Sequence, residues 1–446
     1  MYNWFSNNVA LRLSDLMTGK NISCYLEYLN ESQYWSENKI AEFQNAKLQG
    51  LLKHSYENVS FYKNLFDLYG IVQSQIQDIS DLKKIPILTK GELRGAVNSG
   101  ELIDNTTDIR RFEKNNSSGS TGEPFCFYLN KDASSIRKAS VIRAWQWMGF
   151  NLGDKILRVS PLERTGIIKQ IQDVVTKTYY VQAYKLDEAE FSRISDAINK
   201  HKPIILRSYP DPLYLLARYI RENNVNLPQI KAINTTGSTL HNVYREYIED
   251  VFNCRIYDSF SCEGGAVASQ CSESSLYHLA DEYAITEVVD DSGNPTNKGR
   301  LITTDLWNYA TPFLRYDTQD VVEISEQNCS CTRGLSVIKQ IYGRASDVLV
   351  TSSKQYLFVN NFTGHFQNLL GIDQYQIHQK SIDEFEVKIK PNEQYADSVK
   401  DAILGLMKEI IGDDANVAVS LHEEIPVLKS GKRRFLIRDE SVPLGI

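Results

Sequence analysis

Between residues 31 and 70 the apolar positions recur every three or four residues. In Ile40-Ala-Glu-Phe-Gln-Asn-Ala-Lys-Leu-Gln-Gly-Leu-Leu they form one stripe, which predicts an amphipathic helix in a mostly helical stretch. Asp81-Leu-Lys-Lys-Ile-Pro-Ile-Leu-Thr-Lys reads as a connector, because Pro86 forbids continued helix and Thr89 can cap the next one. Further on, short β-rich runs alternate with helical ones. Lys155–Val159, Pro203–Arg207 and Lys231–Thr236 are expected as buried strands, and Leu213–Ile220 as a helix opened by Asp211 as N-cap and Pro212 at its first position. Strand, helix, strand at this spacing predicts an α/β architecture.

The pattern changes after Gly343. Glu384-Phe-Glu-Val-Lys-Ile-Lys alternates strictly, Gln394–Ile411 is helical in period and stops near Gly412, and Asn416-Val-Ala-Val-Ser-Leu-His alternates again. A small α+β domain of about a hundred residues is therefore expected behind roughly 340 residues of α/β.

Composition narrows the function. The net charge is −7 and no basic block stands out, which argues against a dedicated nucleic-acid binder. No run of 18 apolar residues and no basic-then-apolar opening occurs, so neither a membrane span nor a signal peptide is expected, and a cytoplasmic location is. Seven cysteines, an odd number, favour free thiols or a metal site over a disulfide framework.

Among local signals, Ser117-Ser-Gly-Ser-Thr-Gly stands out. Six small residues let backbone N–H groups converge on a phosphate, and the hydroxyls add donors. The run lacks the Gly-Lys-Ser/Thr ending of a P-loop and the Gly-x-Gly-x-x-Gly spacing of a dinucleotide site. Cys329-Ser-Cys331, with Cys271 and His278 separated by six residues, offers three thiolates and an imidazole, enough for a closed tetrahedral zinc shell; Cys262 could replace one ligand. Cys24, Cys126 and Cys254 read as buried small hydrophobes. Ala144-Trp-Gln-Trp-Met-Gly-Phe reads as helix core rather than as a pocket.

Taken together with segments that follow in order, the loop resembles the phosphate-binding loop of the adenylate-forming superfamily. Asn234-Thr-Thr-Gly-Ser-Thr-Leu is similar to its adenine-pocket segment, and Tyr257-Asp-Ser-Phe-Ser-Cys-Glu-Gly-Gly to its aromatic–small–Glu motif. Gly299-Arg-Leu-Ile-Thr-Thr-Asp-Leu with Pro312-Phe-Leu-Arg-Tyr-Asp-Thr-Gln-Asp resembles the ribose-binding pair, Gly343-Arg-Ala-Ser-Asp the hinge, and Lys429-Ser-Gly-Lys the catalytic-lysine turn. Leu52–Tyr62 and Asp81–Lys90 resemble the N-terminal segments of the phenylacetate–CoA ligase and CapK-like branch.

The resemblance implies a large N-terminal domain of mixed sheets and flanking helices (1–342), a hinge (343–347) and a mobile α+β lid (348–446). It implies ATP-dependent carboxylate activation through an acyl-adenylate, with transfer to CoA or to an amine or hydroxyl. A non-catalytic nucleotide-binding relative would be expected to have lost one of the charged residues named next. Catalysis falls to Lys432, Glu263 (also the Mg²⁺ ligand) and Thr121. ATP binding falls to Ser117, Ser118, Gly119, Ser120, Thr121, Gly122, Gly237, Ser238, Thr239, Tyr257, Asp258, Ser259, Phe260, Asp320 and Arg344. The acid is assigned to Tyr209 as a lid, Ser261, Gly264 and Gly265, and structural Zn²⁺ to Cys271, His278, Cys329 and Cys331. Relatives of this branch commonly carry a Cys-x-Cys just before the hinge. The expected partners are a small carboxylic acid and an acyl acceptor, for a monomer or homodimer. Departures from the branch are Phe260-Ser-Cys-Glu where Tyr-Gly-x-Ser/Thr-Glu is usual, and Gln319 where Gly usually precedes the acid.

Overall fold

The computed structural model describes residues 11–116, 126–160, 166, 170, 173–174, 176–183, 187–344, 347–353, 355–357, 359–367, 369–426, 434–439 and 441–442. The expected phosphate loop 117–122, Lys432 and hinge residues 345–346 lie outside them.

The N-terminal helices are α1 (Leu11–Thr18), α2 (Ile22–Ser32), α3 (Glu37–Asn58), α4 (Ser60–Tyr69) and α5 (Lys90–Asn98). The stripe on Ile40–Leu52 turns Ile40, Gln44, Leu48, Leu51 and Leu52 inward along α3. Thr89 caps α5 in a full capping box with Glu92. The hairpin β1 (Glu113–Asn116) and β2 (Cys126–Leu129) leads into α6 (Lys131–Trp147). The first core cluster joins these helices to Leu306, Phe313 and Tyr316 from far along the chain.

An α/β succession follows: β3 (Ile156–Ser160), β4 (Thr178–Gln182), α7 (Glu188–His201), β5 (Ile205–Ser208), α8 (Pro210–Glu222), β6 (Ala232–Thr236), α9 (Asn242–Phe252) and β7 (Ile256–Ser261). The chain then runs through strands alone: β8 (Val267–Gln270), β9 (Tyr277–Leu279), β10 (Ala284–Val289), β11 (Lys298–Asp305), β12 (Tyr316–Ile324) and β13 (Val337–Arg344). These eleven strands are not all neighbours in chain order. One 11-stranded sheet runs β10-β11-β12-β13-β9-β8-β7-β6-β5-β3-β4. Strands β4 to β7 pair in parallel, and every pairing from β7 through β10 is antiparallel. The change of sense falls at the β7–β8 turn, which carries Glu263.

The α/β expectation holds, with three local corrections. Helix α8 starts at Pro210 with Tyr209 as N-cap, not Asp211. Two prolines with φ fixed for helix let the first turn form earlier, and Asp211 sits inside that turn. Cys24 is exposed and Cys126 and Cys254 are half-buried, so none of the three is a core hydrophobe. Of the aromatic run, Trp147, Met148 and Phe150 are core, whereas Trp145 is half-buried.

Beyond β13 come β14 (Leu349–Val350), β15 (Tyr356–Leu357), α10 (Asn360–Gln367), β16 (Ile372–Gln379), β17 (Glu384–Pro391), α11 (Asp397–Ile411), β18 (Asn416–Leu421) and β19 (Leu436–Arg438). The four-stranded sheet β18-β17-β16-β19 has a core of its own, drawn from residues 349–436 alone. The alternating strands β17 and β18 pair in parallel through α11, as their pattern predicts.

Candidate functional site

A cleft of about 370 Å³ opens at the carboxyl ends of β5, β6 and β7 and reaches the small sheet. Open α/β sheets characteristically bind ligands at this edge, where strand order changes sense. Its walls include Tyr209, Gly237, Ser238 and Thr239 on one side and Ser259, Phe260, Ser261 and Glu263 on another. Gly237 has φ +86°, and a Cβ there would stand 2.6 Å from Tyr209 Cε1. Glycine thus lets the Tyr209 ring lie flat against the segment. Asn234 ties that segment to β7, its Nδ2 donating to the Tyr257 carbonyl and to Ser259 Oγ, both at 2.9 Å.

The charged residues meet at the antiparallel side. Asp320 on β12 and Arg344 on β13 are register partners, and both line the cleft with Glu263. Burial alone would lower the Arg344 pKa, but Asp320, Glu263 and Asp347 outweigh it and hold the guanidinium above its usual value. Gln319 adopts φ +64°, the left-handed region, and its N–H donates to Asp317 Oδ1 at 2.8 Å. That backbone explains why glycine suits the position, and glutamine holds it at a cost of about 1–2 kcal/mol.

Not every expected residue faces the cleft. Tyr257 packs with Met148, Phe150 and Ala232 behind it. Gly264 lies against Thr303 and Tyr316, and Gly265 against Asp305, so both form the floor under Glu263. Asp258 does line the cleft, but Thr235 Oγ1 (2.6 Å) and the Tyr277 hydroxyl (2.8 Å) already donate to its carboxylate. Burial pushes its pKa up to about 6.

Arg137, Tyr342, Arg434 and Phe435 are among the lining residues not expected from sequence. The last two come two and three positions after Lys432 in the sequence, and the Phe435 ring stands 6.0 Å from His241 of the cleft. Lys90, the first residue of α5, is half-buried; burial lowers its pKa, Glu263 opposes that shift and Arg344 adds to it. A cation in a helix's first turn runs against the macrodipole, and this was the readable signal that Lys90 serves something else.

The second cluster is separate. The candidate ligand atoms of Cys271, His278, Cys329 and Cys331 all lie within 4.8 Å of one another. Cys271 Sγ is 3.6 Å from Cys329 Sγ, and Cys331 Sγ is 3.3 Å from His278 Nε2. Ligands about 2.0–2.3 Å from a tetrahedral ion stand about 3.3–3.8 Å apart, so the donors fit one metal. Burial, with Arg333 and Arg143, pulls the His278 pKa down to about 4, leaving the neutral imidazole that a metal needs. Cys262 is not a fourth ligand: it is buried in the turn beside Glu263 and Asp320.

Comparison with known proteins agrees with this architecture. Residues 349–439 match the family model of the CapK C-terminal domain. A 2-hydroxyisobutyryl-CoA ligase structure, in the postadenylation state with R3-HIB-AMP, superposes with a TM-score of 0.72 at 17% identity, covering 91% of each chain. The fold is therefore that of the adenylate-forming ligases. The chain is 25% identical to Protein CapK of Staphylococcus aureus, covering 98% of this chain and 100% of that one. It is 23% identical to the phenylacetate-coenzyme A ligase of Thermus thermophilus, covering 84% and 87%. Over most of its length the chain is thus similar to CapK and to the phenylacetate–CoA ligases. Among the described residues no helix is long and apolar enough to cross a membrane.

Proposed function

We propose that this chain is an ATP-dependent, carboxylate-activating ligase that joins an acid to AMP, releases pyrophosphate and passes the acyl group to coenzyme A. The observation that carries this reading is the meeting of Glu263, Asp320 and Arg344 in one cleft with the 236–239 segment. Attack of a carboxylate on the α-phosphate of ATP builds negative charge on the transferring and leaving groups, and fixed cations aimed there lower the barrier. Arg344, Lys90 and Lys432 supply them. Asp320 accepts the ribose hydroxyls, the 237–239 segment borders the base, and the 117–122 loop donates to the phosphates. Tyr209 covers the acid and excludes water. Glu263 would hold Mg²⁺, which neutralises phosphate charge when bound.

Residues 348–446 act as a lid turning about 343–347, so that Lys432 serves adenylation in one orientation only. Cys271, His278, Cys329 and Cys331 hold one structural zinc, all four positions being protein ligands. The setting is cytoplasmic. An amine or hydroxyl, such as that of an amino sugar, is the alternative acceptor class.

Acid-dependent ATP–pyrophosphate exchange over a carboxylic-acid library tests the reaction, and repeating product analysis with and without CoA tests the acceptor. Lys432→Ala should slow adenylation about 10²–10³-fold and leave transfer from a pre-made acyl-adenylate nearly unchanged. Release of ADP and phosphate without exchange would overturn the proposal.

A further inference from the structure

Beside the cleft, the parallel half of the sheet carries two arginines on one face. Tyr180 on β4, Arg158 on β3, Arg207 on β5 and Asn234 on β6 are successive register partners, so the strand period puts all four on the same side. Elsewhere that side is apolar: Ile156, Ile205 and Ala232 pack there against Met148 and Phe150. The arginine row is less fully covered. Trp145, Arg158, Tyr180, Arg207 and Tyr209 are all half-buried rather than sealed. The two guanidiniums stand 5.9 and 5.2 Å from the centroid of the Trp145 ring.

Among the described residues their charges are not balanced. Arg158 Nη1 donates to the Tyr180 hydroxyl at 2.7 Å, a neutral partner. Arg207 Nη1 is buried and has no hydrogen-bond partner among the described residues. Among the described residues, the groups that face Arg207 electrostatically are Arg158, Tyr180 and Tyr209, none of them a carboxylate. Burial, and next the like charge of Arg158, pulls its pKa down to about 9, which is the mark of a cation held where it lacks an anion. An uncompensated buried charge is among the costlier features a fold can keep, and binding sites are where it is kept. The position is also telling. Arg207 is two residues before Tyr209, whose ring lines the cleft and lies within the field of both arginines.

We propose that the acid activated here carries a second anionic group on its tail, seated between Arg207 and Arg158, with its reacting carboxylate on the cleft side of Tyr209. This rests on the adenylating reading above and specifies its substrate class: a dicarboxylic or phosphorylated acid rather than an aryl or alkyl monocarboxylate. The planar guanidiniums suit either terminal group, since both offer oxygens for paired N–H bonds.

The test is pyrophosphate exchange by the full chain with length-matched acids: butyrate and valerate, succinate, glutarate and adipate, and 3-phosphoglycerate. The expected result is a kcat/KM about 10²-fold higher for an anionic-tail acid than for its neutral counterpart, with the phosphate and dicarboxylate arms telling the two tails apart. Arg207→Met should collapse that ratio toward one, chiefly through KM, and Arg207→Lys, which keeps the charge, should retain part of it. A wild-type ratio near or below one overturns the inference even if no variant folds. An unchanged ratio in a folded Arg207→Met protein also overturns it and leaves a structural cation–aromatic stack. Calorimetric titration of the same acids separates the two claims. Absence of exchange with every acid, alongside dicarboxylate binding that Arg207→Met abolishes, would sink the adenylation reading and leave the anion subsite standing.

Discussion

Alanine at Gly264 probes the floor of the cleft. A Cβ there would stand 2.2 Å from Thr303 Oγ1 and 2.6 Å from Tyr316 Cδ1, where unstrained contact with carbon needs about 3.5 Å. Neither neighbour can retreat. Thr303 and Tyr316 are 1% and 2% exposed, and they are register partners on β11 and β12 inside the large sheet. The turn of residues 262–266 must therefore lift by on the order of 1 Å, carrying Glu263 with it. Overpacking a filled core costs about 1–3 kcal/mol, and a misplacement of about 1 Å can cost about 10²-fold in rate. Melting temperature and acid-dependent pyrophosphate exchange, measured on the full chain, should both fall. Thr303 Oγ1 is buried without a hydrogen-bond partner among the described residues, so Thr303→Ala alone should be mild. In the Gly264→Ala/Thr303→Ala protein the nearer clash is gone and the Tyr316 contact remains, so part of the loss should return. Wild-type melting and exchange in Gly264→Ala, or no recovery in the double variant, would refute the reasoning.

Three further outcomes are expected. Elemental analysis should find about one zinc per chain; Cys329→Ser should remove it and lower the melting temperature more than the ATP affinity, and metal-free protein of wild-type stability would end that assignment. Gln319→Gly relieves the left-handed strain at φ +64° and should add about 0.5–1 kcal/mol in urea unfolding, after the entropy glycine gains in the unfolded chain; a loss would show that the Gln319 side chain is needed there. Burial, with Glu282 nearby, pushes the Asp281 pKa up from 3.8 to about 7, so the folded chain holds this proton more tightly than the unfolded one. The resulting stability is full below about pH 4 and is lost as pH rises toward 7, so Asp281→Asn should flatten melting temperature over that window, and an unaltered slope would contradict it.

What the residues announced by themselves was local or tied to residue type. Thr89 followed by Glu92 is a capping box within four residues, and the alternation in Glu384–Lys390 specifies a half-exposed strand whatever lies beside it. The three thiols and one imidazole were legible as a metal set because few other uses bring those side chains together. Ordered motifs likewise pointed to Glu263, Asp320 and Arg344 before any geometry. Periodicity also misled where a local rule had a rival: Asp211 looked like a cap, but Pro210 let the helix begin sooner.

Tertiary structure decided the rest, because proximity across a long chain leaves no trace in a local pattern. Nothing in residues 277–279 says that β9 pairs with β13 some sixty positions on, yet that pairing closes the sheet between the Cys/His cluster and the cleft. Lys90 closes a run that reads as a connector, and only the packed fold places it in the field of Glu263 and Arg344. Arg158 and Arg207 sat in two ordinary strand runs, each readable as an edge charge. Parallel pairing of β3 with β5 sets them side by side on one face and leaves Arg207 Nη1 buried without a hydrogen-bond partner among the described residues. Sequence thus determined the elements and the chemistry available, since those depend on neighbours within a turn or two. Which charges share a dry space depends on strand order and burial, and only the folded sheet fixes those.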